Sequence, residues 1–393
     1  MVSGEKILFF GGSDWWYHNP SSGVQLLKEM VKNGSEALYV NNIPLRMPKP
    51  GKSGSKNRYI NKLKSYLKFL KKAEPGLWVL TPITIPVFGS IRIKAANQML
   101  LKFQIKLAFL LVGWWRAIPI VISMTPAAGL LLPGFKRKSA IYYLCDKFDT
   151  FRDIAGSDQI TALDKIVAEE SDVLICVSKA IQSAYIKNHS CAEYVPHGAN
   201  IELFNRAATS KLKCPEELDG INGPIIGYFG SITESNDKEI LEHIAKERPQ
   251  WDIVLIGQVI SDYSQFDKYS NVHFLGKKPL EELPAYGQYF DVCIMNWIMN
   301  EWISFCNPVK AKEYLAMGKP VVSVPIPEVV DTMSDVISIG ASPEEFLQAI
   351  ELEMMTNSSE KKTKRLAKVD GDTWEFRADQ IFKFIEKSIQ ENV

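Results

Sequence analysis

The stretch 307-NPVKAKEYLAMGKPVVS-323 decides how the rest of the chain is read. Asn307 is a favoured N-cap, and Pro308 suits the first helical position, where the missing N–H is not needed. Helix formers follow, and Gly318 suits the residue just past the helix end. Lys319-Pro320 then leads into a β-branched run typical of a buried strand. Another strand-like run, 291–295, precedes the whole unit. The unit is therefore βαβ, with its helix start at the carboxyl edge of a parallel sheet, where open α/β sheets bind ligands.

Outward from this unit the same alternation continues. Strand-like runs are expected at 6–10, 37–40, 77–80, 118–123, 140–144, 173–177 and 194–196, with helical spacing at 24–32 and 160–170 and Ser178 as an N-cap. After a link at 200–223, where glycine and charge shift, the pattern restarts, with strands at 225–229, 251–256, 272–275, 291–295 and 321–324. The final 374–390 is an amphipathic helix. This order argues an α/β protein with two Rossmann-like halves. The expected division is 1–202, 203–370, and a terminal helix at 371–393.

Composition narrows the function. The 393 residues are 46% hydrophobic and 23% charged, which excludes disordered, collagen-like and coiled-coil chains. The net charge of +1 conceals an asymmetry: residues 1–200 hold 26 Lys and Arg against 14 Asp and Glu, and the remainder holds 20 against 31. The first half suits an anionic surface. Six cysteines without a CxxC pair read as reduced thiols in a cytosolic protein. No signal peptide is read from MVSGEKILFF, and Lys102, Lys106, Arg116 and three prolines interrupt the apolar region 97–134, so no spanning helix is expected. Segment 51–73 carries eight Lys and Arg with no acid, and Ile60, Leu63, Leu67 and Leu70 recur at helical spacing. Such a basic amphipathic helix either lies on an anionic membrane or packs its apolar stripe on its own domain. The basic residues of 92–116 and Trp114-Trp115 favour the membrane reading. Zinc spacing, GxSxG, GxxxxGK[ST] and the full GxGxxG are absent, which disfavours a hydrolase elbow, a P-loop and a nicotinamide cofactor.

The helix start at 308–311 carries the chemistry. Its exposed N–H groups can hold a phosphate, and Lys310 adds a positive charge for a pyrophosphate. Glu313 shares the face of Lys310 and can accept two hydrogen bonds from a ribose diol. On an ordinary helix the same pair is a surface salt bridge. Gly230, ending the strand in 227-GYFGSI-232, lets backbone approach a phosphate closely.

In order along the chain, CVSKAI at 176–181, PHGANIELF at 196–204, GYFGSI, NVHFLGKKPLEELPAY at 271–286, the 307–323 unit and FRADQI near the C-terminus resemble GT-B fold glycosyltransferases. The similarity is to the bacterial group 1 enzymes that build capsular, teichuronic and exopolysaccharides. It implies two Rossmann-like domains facing across a cleft, with the C-terminal helix crossing back to the first. The donor site it implies comprises Gly230, Ser231, Gly276, Asn307, Pro308, Val309, Lys310 and Glu313. Many retaining members carry two Glu eight residues apart; Glu313 is the second, and Phe305 stands at the first. The Lys310–Glu313 pattern is similar to that of xanthan-type glucuronosyltransferases.

By the same resemblance, Asp146, which follows the strand IYYLC, is the base that deprotonates the acceptor hydroxyl in inverting relatives. Asp149 is its near alternative. Gly12, Asp14 and His18 lie in the loop after the first strand, with Trp15, Trp16 and Tyr17 able to stack on a sugar. His18 is read as a contact for phosphate or acceptor, and His197 as a cleft residue near the domain junction. Asp370-Gly-Asp372 reads as a turn and N-cap.

The expected activity is sugar transfer from a nucleotide diphosphate donor, UDP-linked, to a lipid-linked or polysaccharide acceptor. The nucleotide-sugar is a substrate; no cofactor, metal or nucleic-acid partner is expected. The expected location is cytoplasmic, peripheral at the inner face of the cell membrane, through 51–73 and 92–116. A nucleotide-sugar epimerase of the same fold and a non-catalytic donor- or glycan-binding subunit are the alternatives.

Overall fold

The computed structural model describes residues 4–18, 21–44, 55–85, 91–150 and 157–391. The chain divides into two compact units, 1–198 with 374–393, and 199–373.

The first unit runs β1 (Lys6–Phe10), α1 (Ser22–Lys32), β2 (Glu36–Val40), α2 (Ser55–Tyr66), β3 (Leu70–Glu74), β4 (Leu77–Leu80) and α3 (Ile91–Leu111). It continues with β5 (Ile120–Ser123), β6 (Ser139–Leu144), α4 (Ser157–Glu170), β7 (Val173–Cys176), α5 (Lys179–Tyr185) and β8 (Ala192–Tyr194). The second runs α6 (Ile201–Thr209), β9 (Ile225–Phe229), α7 (Lys238–Glu247), β10 (Asp252–Ile256), β11 (Val272–Phe274), α8 (Leu283–Gly287) and β12 (Val292–Met295). It ends with α9 (Val309–Ala316), β13 (Val321–Ser323), α10 (Pro327–Met333), β14 (Ser338–Ile339), α11 (Pro343–Thr356) and α12 (Ser359–Val369). Helix α13 (Trp374–Glu391) belongs to the first unit, where it packs on α1, β6 and β7.

The first sheet has the order β3-β4-β2-β1-β5-β6-β7-β8 and is parallel except for β3. The second, β11-β10-β9-β12-β13-β14, is parallel throughout. Strands such as Ile7–Phe10 and Val292–Met295 are buried along their whole length, as helices on both faces require. Strand order reverses between β1 and β5 in one sheet and between β9 and β12 in the other. The loops leaving β1, β9 and β12 therefore open at the two switch points, the positions where open parallel sheets bind ligands.

Segment 51–73 corrects the reading of one long helix. The helix ends at Tyr66, and Leu70–Glu74 turns back as an edge strand antiparallel to β4. Lys71 and Lys72 on that edge oppose further strand pairing. Ile60, Leu63 and Leu67 do not pack on the unit; all three are exposed. Of the tryptophan pair, Trp114 is buried and donates its Nε1–H to Glu36, and only Trp115 faces outward. The second unit is a few residues wider at each end than the expected 203–370, because helix α6 packs on α8 and α9 and the Ala199 amide donates to the Asp372 carbonyl.

Candidate active site

In the second unit, three strand ends and one helix start converge. The Gly230 amide donates to the Ile256 carbonyl and the Gly257 amide to the Gly276 carbonyl, so the carboxyl ends of β9, β10 and β11 are joined through glycines. A Cβ on Gly257 would lie 1.8 Å from the Gly230 carbonyl oxygen, so this junction admits no side chain. Gly230, at φ +145°, lies directly under Lys310: a Cβ there would be 2.2 Å from Lys310 Cε. The Lys310 ammonium sits over the rings of Tyr228, at 5.8 Å, and Trp297, at 5.5 Å. It makes no ion pair among the described residues.

Helix α9 is fixed at both ends. At its C-terminus the Gly318 amide donates to Leu315 and the Lys319 amide to Tyr314, with Gly318 at φ +70°. Tyr314, fully buried, accepts the Phe229 amide on its hydroxyl and so ties α9 to β9. At the N-terminus the expected cap is corrected. The helix starts at Val309, and the cap residue, Pro308, gives the first amides no side-chain acceptor. Asn307 does not cap: its Nδ2 donates to the buried carboxylate of Glu328, at 3.1 Å, and its Oδ1 takes no donor among the described residues. An uncapped helix start is an open anion site.

Glu313 is half-buried, and its carboxylate makes no hydrogen bond among the described residues. Desolvation pushes its carboxyl up to about 7, with Lys310 pulling the other way. Asn296 Oδ1 and Asn307 Oδ1 are buried without a donor among the described residues, so acceptor capacity is left at the loop between β12 and α9. Ser231, whose carbonyl accepts the Tyr228 hydroxyl, completes the turn after β9. Lys312, on the opposite side of α9, is buried and ion-paired to Asp372 at 2.9 Å, which gives the Asp370-Gly-Asp372 turn a structural partner.

In the first unit, the loop after β1 is braced rather than open. The Asp14 carboxylate accepts from Asn41 Nδ2, Ser65 Oγ and the Trp16 amide. Lys62 lies nearby; burial pushes its ammonium down, and the Asp14 charge opposes that. The His18 amide donates to the Asp14 carbonyl, and the His18 side chain is exposed. Gly12 meets nothing, whereas a Cβ on Gly11 would enter the Tyr39 ring, so the close approach belongs to Gly11. Asp146 stands at the carboxyl end of β6, beside Cys145, whose thiol burial and this charge push up. Asp149 lies in a single helical turn, Phe148–Thr150, and its side chain falls outside the described part. His197 is buried, hydrogen-bonded to the Tyr143 hydroxyl at 2.8 Å and next to Trp374. It is a core histidine of the first unit.

The residues expected at a donor site thus gather around Gly230 and Lys310, whereas the first-unit candidates divide between the β1 loop, the end of β6 and the core. Tyr228, Gly257, Trp297 and Glu328 went unread in the sequence. Only Gly257, closing the strand-like run 251–256, carries a local signal of its own.

Residues 223–354 match the family model "Glycosyl transferases group 1". The chain is 25% identical over 237 residues to TuaH of Bacillus subtilis (strain 168), a glycosyltransferase named for teichuronic acid biosynthesis. That match covers 58% of this chain and 55% of the relative, so the chain spans about half the length of the curated protein it resembles. Among solved structures, sucrose-phosphate synthase from Thermosynechococcus elongatus superposes with a TM-score of 0.68 at 15% identity, covering 98% of both chains. Anabaena HepE, in complex with UDP and glucose, superposes with a TM-score of 0.65 at 14% identity, covering 97% of this chain and 99% of that one. The fold is that of the GT-B glycosyltransferases, and the group 1 match falls on the second unit.

Proposed function

We propose that this chain is a glycosyltransferase that moves a sugar from a UDP-linked donor to a lipid-linked or polymeric glycan acceptor at the cytoplasmic face of the cell membrane. The observation that carries the reading is the Lys310 ammonium, without an ion pair among the described residues and held over Gly230 beside the start of α9. A cation and an open helix start on one rim suit the two phosphates of a nucleotide diphosphate. UDP is named because HepE binds it in a fold of the same kind. A role in surface-glycan synthesis is named because TuaH carries one in its name.

On this reading the pyrophosphate lies on the amides of α9 and against Lys310. The turn Gly230–Ser231 lets backbone approach it, and Gly276 leaves room at the neighbouring strand end. As the glycosidic bond to phosphate breaks, negative charge grows on the leaving oxygen, and the fixed positive groups meet it there. This charge is supplied by the protein, so the reading requires no metal. Glu313 accepts the ribose hydroxyls in its ionised form. In the first unit Asp146 takes the proton of the acceptor hydroxyl, and His18 contacts the acceptor or the phosphate.

Calorimetric titration with UDP, GDP and ADP tests the reading on wild type and Lys310→Ala. Tight UDP binding that the substitution weakens supports it. Unchanged UDP affinity in the variant, or no nucleotide binding at all, overturns it.

A further inference from the structure

Helix α3 is apolar on two sides. Leu101, Ile105 and Ala108 are buried against the first unit, and Asn97 and Gln104 clamp the backbone of Ile85 and Ile83. Helices apolar all round are normally buried all round. Here the outward side is open: Met99, Phe103, Leu110 and Leu111 are between 60% and 75% exposed. Met99, Phe103, Lys106 and Leu110 recur at three- and four-residue spacing, so they form one stripe along the helix, with Arg92 at its start. The 21 residues of α3 extend about 30 Å. Just beyond it Trp115 is 63% exposed, with the Arg116 guanidinium stacked on its ring at 4.0 Å.

The charge around the stripe has one sign. No Asp or Glu occurs between Glu74 and Asp146, whereas eight Lys and Arg do. A protein partner of mixed charge does not ask for this. An anionic lipid surface does, since it offers hydrocarbon for Met99, Phe103 and Leu110 and phosphate for the flanking cations. Tryptophan next to arginine is suited to the headgroup level. No described helix is long and apolar enough to cross a membrane. We infer that α3 lies in the plane of an anionic bilayer, its Met99–Phe103–Leu110 stripe at the acyl boundary and Lys106 and Arg116 on the headgroups.

The inference stands on α3 alone and is independent of the donor site. Vesicles of phosphatidylcholine with one third phosphatidylglycerol, pelleted with the full chain, test it. Wild type is expected to co-sediment with them in a salt-sensitive manner and weakly with phosphatidylcholine alone. Phe103→Glu with Leu110→Glu should lower retention about tenfold or more, because charge replaces buried hydrocarbon. Lys106→Gln with Arg116→Gln should lower it about fivefold per charge and flatten the salt dependence. Circular dichroism and UDP titration of the same preparations confirm folding and report the donor site separately. Equal retention of wild type and the double-Glu variant, or no retention of wild type, overturns the inference. So does a lipid-free dimer in sedimentation velocity that Phe103→Glu dissolves, since the stripe then serves a second copy of the chain.

Discussion

Lys310 reaches its position only because residue 230 has no side chain: a Cβ on Gly230 would stand 2.2 Å from Lys310 Cε and 2.8 Å from its Nζ. The strand end and the helix cation therefore form one device. Gly230→Ala should weaken UDP binding as Lys310→Ala does, each by about 1.5–3 kcal/mol, the range for a charge-assisted hydrogen bond. The double variant should lose little more than either single one, because both remove the same contact. A calorimetric double-mutant cycle reads this directly, and full additivity would show that the two residues act separately.

The rings of Trp297 and Tyr228 both lie near the ammonium, at 5.5 and 5.8 Å. Trp297→Ala should cost about 0.5–2 kcal/mol of UDP affinity through the lost cation–π contact, without lowering thermal stability to match. Retained affinity would mean that the ring does not position Lys310.

Glu313 gives donor binding a pH dependence whose sign is fixed. In the free protein its carboxyl titrates at about 7, and ribose hydroxyls donate to the ionised form. UDP affinity should therefore rise as pH increases through 7, level off above it, and be accompanied by proton release. Stability runs the other way. The folded value of about 7 exceeds the usual 4.5, so the folded state binds more protons between them and loses stability as pH rises across that window. Glu313→Gln should flatten both profiles, measured by calorimetry in two buffers and by urea unfolding against pH.

Asp146→Asn should lower kcat about 100- to 10,000-fold, the usual contribution of a positioned general base, while UDP affinity stays as in wild type. Unaltered turnover of donor into acceptor would remove Asp146 from the chemistry and direct attention to Asp149.

Removing one partner of the Lys312–Asp372 pair strands a buried charge. Lys312 is almost fully buried, so Asp372→Ala should destabilise the second unit by about 3 kcal/mol, read by thermal or urea unfolding. Adding Lys312→Met should restore part of that loss, because the stranded ammonium is gone.

Most strands could be read locally. At 307–323 the turn chemistry of Pro308, Gly318 and Pro320 agrees with the apolar run that follows, and the structure repeats it almost residue for residue. Leu70–Glu74 failed because Leu-Lys-Lys-Ala-Glu is a helix former's composition, and its strand state comes from pairing with β4. Asn307 was assigned to capping because its true partner, Glu328, lies 21 residues away. His197 was read from its place near the domain junction, and its packing against Tyr143 and Trp374 lies far off in sequence. Trp297 acquires meaning from loops meeting in space, which no local pattern encodes.

The chain enters the second unit at Ala199 and leaves it at Thr373, and α13 returns Ile381, Phe382 and Ile385 to the core of the first. Synthesis and folding therefore run in different orders. The second unit is continuous and can close once residue 373 has left the ribosome, whereas the first waits for its final helix while 1–198 has long been translated. During that interval the face awaiting α13 is uncovered, and a chain ending at 373 would keep it uncovered permanently.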